Sequence, residues 1–365
     1  MTEHAALHPP SSSAAEHFKA DALAAIAELG DLAGKEVPAA ATMHFGAWLD
    51  WPTWLRDGTS LSGSGPLPPR LTAADDLLII ANVLDREGPE RILRQSLQDV
   101  RYPVGPLTAL ALANAPTLAD ALEAFARLVG VQRDYFAAEL LHNDETTILH
   151  LRPRLPPSDL SDFVAMFILT LAYRLVASYS FSLERPVSLR CTLPRSKCSS
   201  DIWDDFACRV VPGDLVNSIE ISPELSKLVN SLADSRLWEM SLAHISHKER
   251  QREHASPVVA IRSRVAEALT AENRAPRLKE FGGTEISERT IARQLAAHGT
   301  SFHTIVDEER RLRASILIND PSLSLAQVAE RLGFADLSSF GRSFRNWFGM
   351  SPGKFRSRDI DAPPC

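Results

Sequence analysis

Residues 324–358 read SLAQVAERLGFADLSSFGRSFRNWFGMSPGKFRSR, and their spacing decides the fold of the C-terminal part of the chain. Ser324 is a good N-cap, and Gln327 three positions on completes a capping box. Val328, Ala329 and Leu332 then form an apolar stripe at helical spacing, and Gly333 supplies the left-handed residue that ends a helix. Asp336 opens a second helix. Along it Leu337, Phe340, Phe344 and Trp347 recur at three- and four-residue steps and so share one side. At about 100° per residue, Ser338, Ser339, Arg342, Arg345 and Asn346 fall on the opposite side. Gly349 and Pro352 punctuate its end.

Two short helices joined by a glycine turn make a helix-turn-helix, whose second helix enters the DNA major groove. The outward residues suit that work. Arg342 can reach guanine edges or phosphate, with Arg345 beside it; Asn346 can pair with adenine; and Ser338 and Ser339 are short enough for close approach. The competing reading is a small amphipathic hairpin with a solvated polar face, which is common in proteins of any function. The run QVAERLGFADLSSFGRSFRNWFGMSPGKFR resembles the second helix-turn-helix and terminal signature of the AraC/XylS family of bacterial transcription regulators. The matching residues are Val328-Ala329, Leu332-Gly333-Phe334, Phe340, Arg342, Phe344, Phe348-Gly349, Ser351-Pro352 and Phe355-Arg356. The resemblance implies that Gly333, Phe334, Phe340, Phe344 and Pro352 hold the motif together.

Upstream, Ser256-Pro257 gives an N-cap followed by proline at the first helical position. Val258, Ile261, Val265 and Leu269 share one side of the helix 257–272. The family would next show a first helix-turn-helix. Its recognition helix is present as SERTIARQLAAHGTSF, capped by Ser287, with Ile291 and Leu295 inward and Arg289, Thr290 and Arg293 as candidate DNA contacts. The preceding segment, LKEFGGTEIS, is a poor helix, because Gly282 and Gly283 each cost about 1 kcal/mol relative to alanine. The second half is therefore expected to supply more base specificity. Between the halves, SFHTIVDEERRLRASILIND reads as one long helix capped by Ser301. Phe302, Ile305, Leu312 and Ile316 face inward along it, and Glu309 interrupts that row. Such a spacer would set two recognition helices about one DNA turn, ~34 Å, apart.

At 365 residues the chain is too long for one ordinary core, and two domains of unequal size are expected. The net charge of −7 excludes a generally sticky nucleic-acid binder. Its distribution matters more: 257–358 hold 16 Lys and Arg against 11 Asp and Glu, whereas 1–256 hold 23 against 33. The positive field sits with the helix-turn-helix, as phosphate binding requires. Cys191, Cys198, Cys208 and Cys365 show neither CxxC pairs nor a secreted disulfide pattern, and read as reduced thiols. A redox-sensing pair among Cys191, Cys198 and Cys208 is the lesser alternative. The most apolar run, Phe163 to Leu171, is cut by Arg174. It falls short of the roughly 18 residues that cross a bilayer, so it reads as a buried core helix.

The N-terminal part contains a helix at 18–29 and a row of tryptophans, Trp48, Trp51 and Trp54, three residues apart. That row reads as core cover more readily than as a pocket wall. Helical segments run from Arg70 to Val83 and from Pro89 to Asp99. RYPVGPLTALALANAPTLADALEAFARL, with Gly105, Leu107, Pro116-Thr117-Leu118 and Ala121-Leu122, is similar to the N-terminal domain of a large AraC/XylS subgroup often labelled an arabinose-binding type. That label does not establish arabinose as the ligand. Ala137–Leu141 and Thr147–Arg152 flank Asn143-Asp144 as a β-hairpin. Val187–Thr192, Ala207–Val211 and Ser218–Ile221 are further strands, with a helix at 160–180 between them. There is no GxSxG, P-loop, GxGxxG or HExxH, and the paired His244 and His247 sit in a charged connector, so neither an enzyme nor a metal or cofactor site is implied.

The expected fold is an α+β regulatory domain, helices packed on an antiparallel sheet, followed by an all-α domain with two helix-turn-helix subdomains. The expected boundaries are a disordered arm 1–17, a regulatory, effector-binding and candidate dimerisation domain 18–245, a linker 246–256, an AraC-type DNA-binding domain 257–358 and a tail 359–365. The resemblance implies a cytoplasmic, nucleoid-associated transcriptional activator. Its partners would be promoter or operator DNA, RNA polymerase, an unidentified small-molecule effector and a second copy of the chain, with no membrane. The rival expectation is a sensor or protein-interaction module whose DNA-binding domain has degenerated.

Overall fold

The computed structural model describes residues 16–99, 104–133, 135–142, 146–179, 187–198, 200–281, 287–320 and 322–357. Most of the expected arm, the tail 359–365, the turn Asn143-Asp144 and the pair Gly282-Gly283 lie outside the described residues. The chain divides into two compact units, Met1–Ile245 and Ser246–Cys365.

The first unit opens with helix α1 (His17–Leu29), strand β1 (Glu36–Pro38), helix α2 (Ala40–Trp48) and strand β2 (Arg70–Thr72), which pairs antiparallel with β1. Helices α3 (Ala73–Glu87), α4 (Pro89–Gln98), α5 (Pro106–Asn114) and α6 (Leu118–Gln132) follow. Their starts follow capping chemistry: the Thr72 hydroxyl accepts from the Asp75 N–H, and Thr117 and Asp120 form a reciprocal capping box. Then come β3 (Phe136–His142), β4 (Thr147–Pro153), α7 (Asp159–Tyr179), β5 (Val187–Cys191), α8 (Ser200–Asp204), β6 (Arg209–Pro212), β7 (Asn217–Ile221) and α9 (Pro223–Ser226). Helix α10 (Ser235–Ala255) begins in the first unit and ends in the second, so the charged stretch from 246, read above as a connector, is helical.

The larger sheet has the order β3-β4-β7-β5-β6. Its first four strands pair antiparallel, but β6 runs parallel to β5. The expectation of an antiparallel sheet is therefore corrected to a mixed one. The reason is that α8 lies between β5 and β6, and a connection carrying a helix can return the chain in the same direction, as a tight hairpin cannot. Strand β5 alternates as a half-buried strand should, with Val187, Leu189 and Cys191 inward. Its outward Arg190 bridges Asp214 at 2.9 Å and Glu220 at 3.1 Å.

Helix α7 packs on the sheet. It runs Asp159–Tyr179, as the helix read at 160–180 expected, and over its 21 residues it is longer and more apolar than the run Phe163 to Leu171 alone suggested, enough by length and composition to cross a bilayer. What makes it a core helix is packing, since 83% of its most apolar window is buried within the protein. Helix α1 turns Ala22 and Ala25 to the core and leaves Leu23 exposed.

The second unit adds α11 (Pro257–Ala271), α12 (Glu288–Ala297), α13 (Phe302–Leu317), α14 (Leu325–Arg331), α15 (Leu337–Phe348) and α16 (Pro352–Ser357). It holds two small apolar cores. Ile261, Val265, Leu269, Ile291, Leu295 and Ile305 form one; Val328, Leu332, Phe340, Phe344 and Phe355 anchor the other. Helix α13 feeds both, through Ile305 and Val306 towards its start and Ala314 towards its end. The acid that interrupts its apolar row, Glu309, is buried and accepts from Arg262 Nη1 at 3.0 Å, tying α13 to α11. Burial alone would lower the Arg262 pKa, but Glu309 and Glu308 outweigh it and hold the guanidinium protonated.

Candidate functional site

The turn between α14 and α15 is built at atomic detail by four features. Ser324 and Gln327 form the capping box at the start of α14, with hydrogen bonds of 2.8 and 3.2 Å. At its end the Gly333 N–H donates to the Glu330 carbonyl at 2.8 Å and the Phe334 N–H to the Ala329 carbonyl at 3.0 Å, which is a Schellman pair. Gly333 has φ +68°, and a Cβ there would lie 2.5 Å from the Ala275 nitrogen. Only glycine meets both conditions. The fourth feature comes from α13: Arg310 donates from Nε to the Leu332 carbonyl at 2.9 Å and from Nη2 to the Gly333 carbonyl at 2.6 Å. Its guanidinium carbon also sits 4.4 Å from the Phe334 ring centre. Sequence reasoning did not single out Arg310, because nothing near it in the chain marks a partner more than twenty residues away.

Helix α15 is capped by Asp336, whose carboxylate accepts from the Ser339 N–H at 2.7 Å. Ser339 supplies both an N–H and a hydroxyl, and these hold the Asp336 pKa below its ordinary value. Phe340 and Phe344 are fully buried, Pro352 is buried, and Phe334 and Trp347 pack half-buried around them. Trp347 donates from its indole to Asp307 at 2.9 Å. Leu337 departs from the expected stripe: it is 48% exposed, since it lies in the first turn, beyond the reach of the small core.

Ser338, Arg342, Arg345 and Asn346 are exposed together on the outer face of α15, and Ser339 is half-buried. Arg342 Nη2 donates to Ser339 Oγ at 3.0 Å, which completes a line Asp336–Ser339–Arg342 along that face. Arg345 and Asn346 make no hydrogen bond or ion pair among the described residues. The face therefore offers donors without first having to break internal bonds, except at Arg342.

The first half is less complete. Helix α12 begins at the Ser287 cap, and Arg289 and Arg293 are exposed on it. The hydroxyl of Thr290 lies 3.0 Å from that of Ser287, so it is occupied in the cap. Before α12 the described residues show a single 3₁₀ turn, Leu278–Glu280, in place of a full helix.

The first unit holds a partly open cavity of about 70 Å³ among α2, α5, α6 and α7. Phe45, Phe125, Phe163, Phe167 and Ile168 are among its walls, and of the residues lining it only Thr108, Gln132 and Arg133 are polar. Arg133 donates to Asp76 Oδ2 from Nε at 3.3 Å and Nη2 at 3.1 Å. It also donates to Tyr135 Oη at 3.1 Å and to the Pro38 carbonyl at 3.2 Å. Tyr135 donates to the same Asp76 oxygen at 3.0 Å. Burial pushes the Tyr135 pKa up. The three tryptophans do not line this cavity: they are half-buried against the core, and Gly46 makes room for the ring of Trp51. Cys191, Cys198 and Cys208 are free thiols whose pKa values burial raises, to about 12, 11 and 12, the opposite of what a redox-active pair needs.

Comparison with known proteins adds to this geometry. A helix-turn-helix domain family matches residues 283–358. The chain is 40% identical over 73 residues, 20% of its length and 22% of the relative's, to the HTH-type transcriptional regulator VirS of Mycobacterium tuberculosis. It is 36% identical over 72 residues, 20% and 22% of the two chains, to VqsM of Pseudomonas aeruginosa. It thus spans about a fifth of the length of these curated relatives. A crystal structure of the transcriptional regulator CdpR from Pseudomonas aeruginosa covers 74% of this chain and 86% of that one, at 24% identity and a TM-score of 0.33. The arabinose-binding type expected of the first unit finds no counterpart in these likenesses. Residues 283–358 thus carry a helix-turn-helix domain like that of these transcriptional regulators, which supports the AraC/XylS resemblance of the C-terminal part of the chain.

Proposed function

We propose that the protein is a sequence-specific DNA-binding transcriptional regulator, an activator controlled by a small molecule bound in the first unit. The observation that carries the DNA reading is the outer face of α15, where Arg342, Arg345 and Asn346 stand exposed on a helix fixed by a glycine turn and an aromatic core. In the major groove an arginine reads guanine and an asparagine reads adenine, while Ser338, Ser339 and the exposed Leu337 are small or apolar enough to lie against base edges and thymine methyls. Arg289, Thr290 and Arg293 on α12 serve a second contact, with α13 as the spacer. Operator DNA is then the main partner, RNA polymerase and a second copy of the chain are further ones, and the working compartment is the cytoplasm.

Effector control requires that the ligand bind two states of the protein with different affinity, and the cavity of the first unit is the place for it. The 3₁₀ turn at Leu278–Glu280, before α12 among the described residues, favours a second reading, a sensor whose first helix-turn-helix no longer reads DNA. To separate the two, full-length protein is mixed with sheared DNA from its source genome at ~150 mM salt, where non-specific contacts are weakened, and the retained pool is sequenced. Enrichment of one sequence motif supports the regulator. A featureless pool, both with and without cell extract to supply the effector, supports the sensor.

A further inference from the structure

We propose that the cavity of the first unit binds a small uncharged lipophilic molecule carrying a hydrogen-bond acceptor, of the class of short-chain lactones and esters. The proposal rests on reading that unit as the effector domain, and names the class of ligand it takes.

Shape comes first. The cavity holds about 70 Å³ and is partly open to the surface, so a slim ligand seats its apolar part there without having to fit wholly inside. Aromatic and aliphatic side chains make up nearly all of its wall. Water in such a space finds few partners, and an alkyl chain displaces it favourably.

The polar groups limit the rest. A sugar would bring several hydroxyls to a wall offering only Thr108, Gln132 and Arg133. Two of these are partly engaged with each other, since Gln132 Nε2 donates to Thr108 Oγ1 at 2.6 Å. Each hydroxyl buried without a partner costs roughly tenfold or more in affinity. An anion fares little better. The Arg133 charge is cancelled by Asp76, which is fully buried and bonded to both Arg133 and Tyr135. An entering carboxylate would therefore be desolvated against a neutral pair. What Arg133 can still offer is a donor: its bonds among the described residues use Nε and Nη2, leaving Nη1. So few polar groups on an apolar wall select a ligand that is apolar apart from an acceptor.

The test uses full-length protein with γ-hexalactone as probe, and hexanoate and L-arabinose as comparators, at pH 7.5. Titration calorimetry and thermal melting are run together, since a ligand specific to the folded state raises the midpoint. The expected result is saturable lactone binding with a raised midpoint, hexanoate at least tenfold weaker, and no shift with arabinose. Ala41→Leu and Val129→Phe each narrow the cavity from a half-buried wall position. Each is expected to weaken lactone binding at least tenfold while melting, ligand-free, within a few degrees of the parent. Two variants are used so that one poorly folded protein does not decide the matter. Preference for arabinose or hexanoate, absence of lactone binding, or lactone binding unchanged in both folded variants would overturn the proposal. Lactone binding that leaves DNA retention unchanged supports the ligand class and overturns effector control.

Discussion

Two single residues concentrate the energetics of the second unit. Gly333 combines a left-handed backbone with a Cβ position blocked by the backbone at Ala275. Gly333→Ala is expected to cost about 2–4 kcal/mol, the sum of the φ penalty and a clash with an unyielding neighbour. Gly349 has a similar φ of +71° but open space around it, so Gly349→Ala should cost only about 1 kcal/mol. Hydrogen exchange of the α14 and α15 amides measures both as local opening energies. Glu309→Ala leaves the buried Arg262 paired only with the exposed Glu308 and should cost about 1–3 kcal/mol in the same measurement on α11 and α13. The neighbouring Glu308→Ala, at a half-exposed carboxylate, should cost less than about 1 kcal/mol. The sequence marked Gly333 by its place after an apolar stripe and Glu309 as an interruption. It could not show Ala275 or Arg262, because those contacts are made only when distant segments fold together.

At the scale of elements, what could be read was whatever is written locally. The capping boxes at Ser324 and Thr117 and the Asp336 cap each depend on residues within one turn of one another. The buried face of α15 was legible from spacing, apart from Leu337, whose burial depends on where the core ends rather than on period. Strand positions were largely legible too, while the direction of β6 was not, since periodicity carries no sign for the neighbour. The extent of α7 was legible as well, while the partner of its one arginine was not: Arg174 reaches the Asp99 carbonyl from within the helix. Arg310 shows what local reading misses most. It joins α13 to the α14–α15 turn by two hydrogen bonds and a ring contact. Arg310→Ala should therefore loosen that turn by about 2–3 kcal/mol, seen as faster exchange of the α14 and α15 amides. Arg310→Lys should not restore it, because an ammonium lacks the planar fork that spans two carbonyls.

At the scale of the whole molecule, one strongly acid-sensitive group lies in the unit that does not carry the helix-turn-helix. His150 on β4 is buried, and burial together with the charge of Arg152 lowers its pKa to about 3, from an ordinary 6.5. The folded state thus holds the neutral ring. Below pH 6.5 the unfolded chain gains a proton that the folded one refuses, so stability is full above that pH and is lost as pH falls towards 3. The slope is up to about 1.4 kcal/mol per pH unit from this residue. Urea unfolding at pH 7 and pH 5, compared between the parent and His150→Gln, should show a smaller acid loss in the variant. Equal losses would mean that His150 is accessible to protons in the folded protein.

The cavity and the Arg133–Asp76–Tyr135 cluster were invisible in sequence, since α2, α5, α6 and α7 are brought together only by the fold. The recognition face was visible, and the central claim rests on it. The measurement that tests it most directly is competition binding of full-length protein and of Arg342→Ala to the genomic motif and to unrelated DNA of equal length at ~150 mM salt. The account predicts that the variant loses about 1–3 kcal/mol of discrimination, roughly 5- to 150-fold, with far less change on unrelated DNA. A variant that folds and keeps its full preference for the motif, while Arg293→Ala abolishes that preference, would contradict it and move recognition to α12.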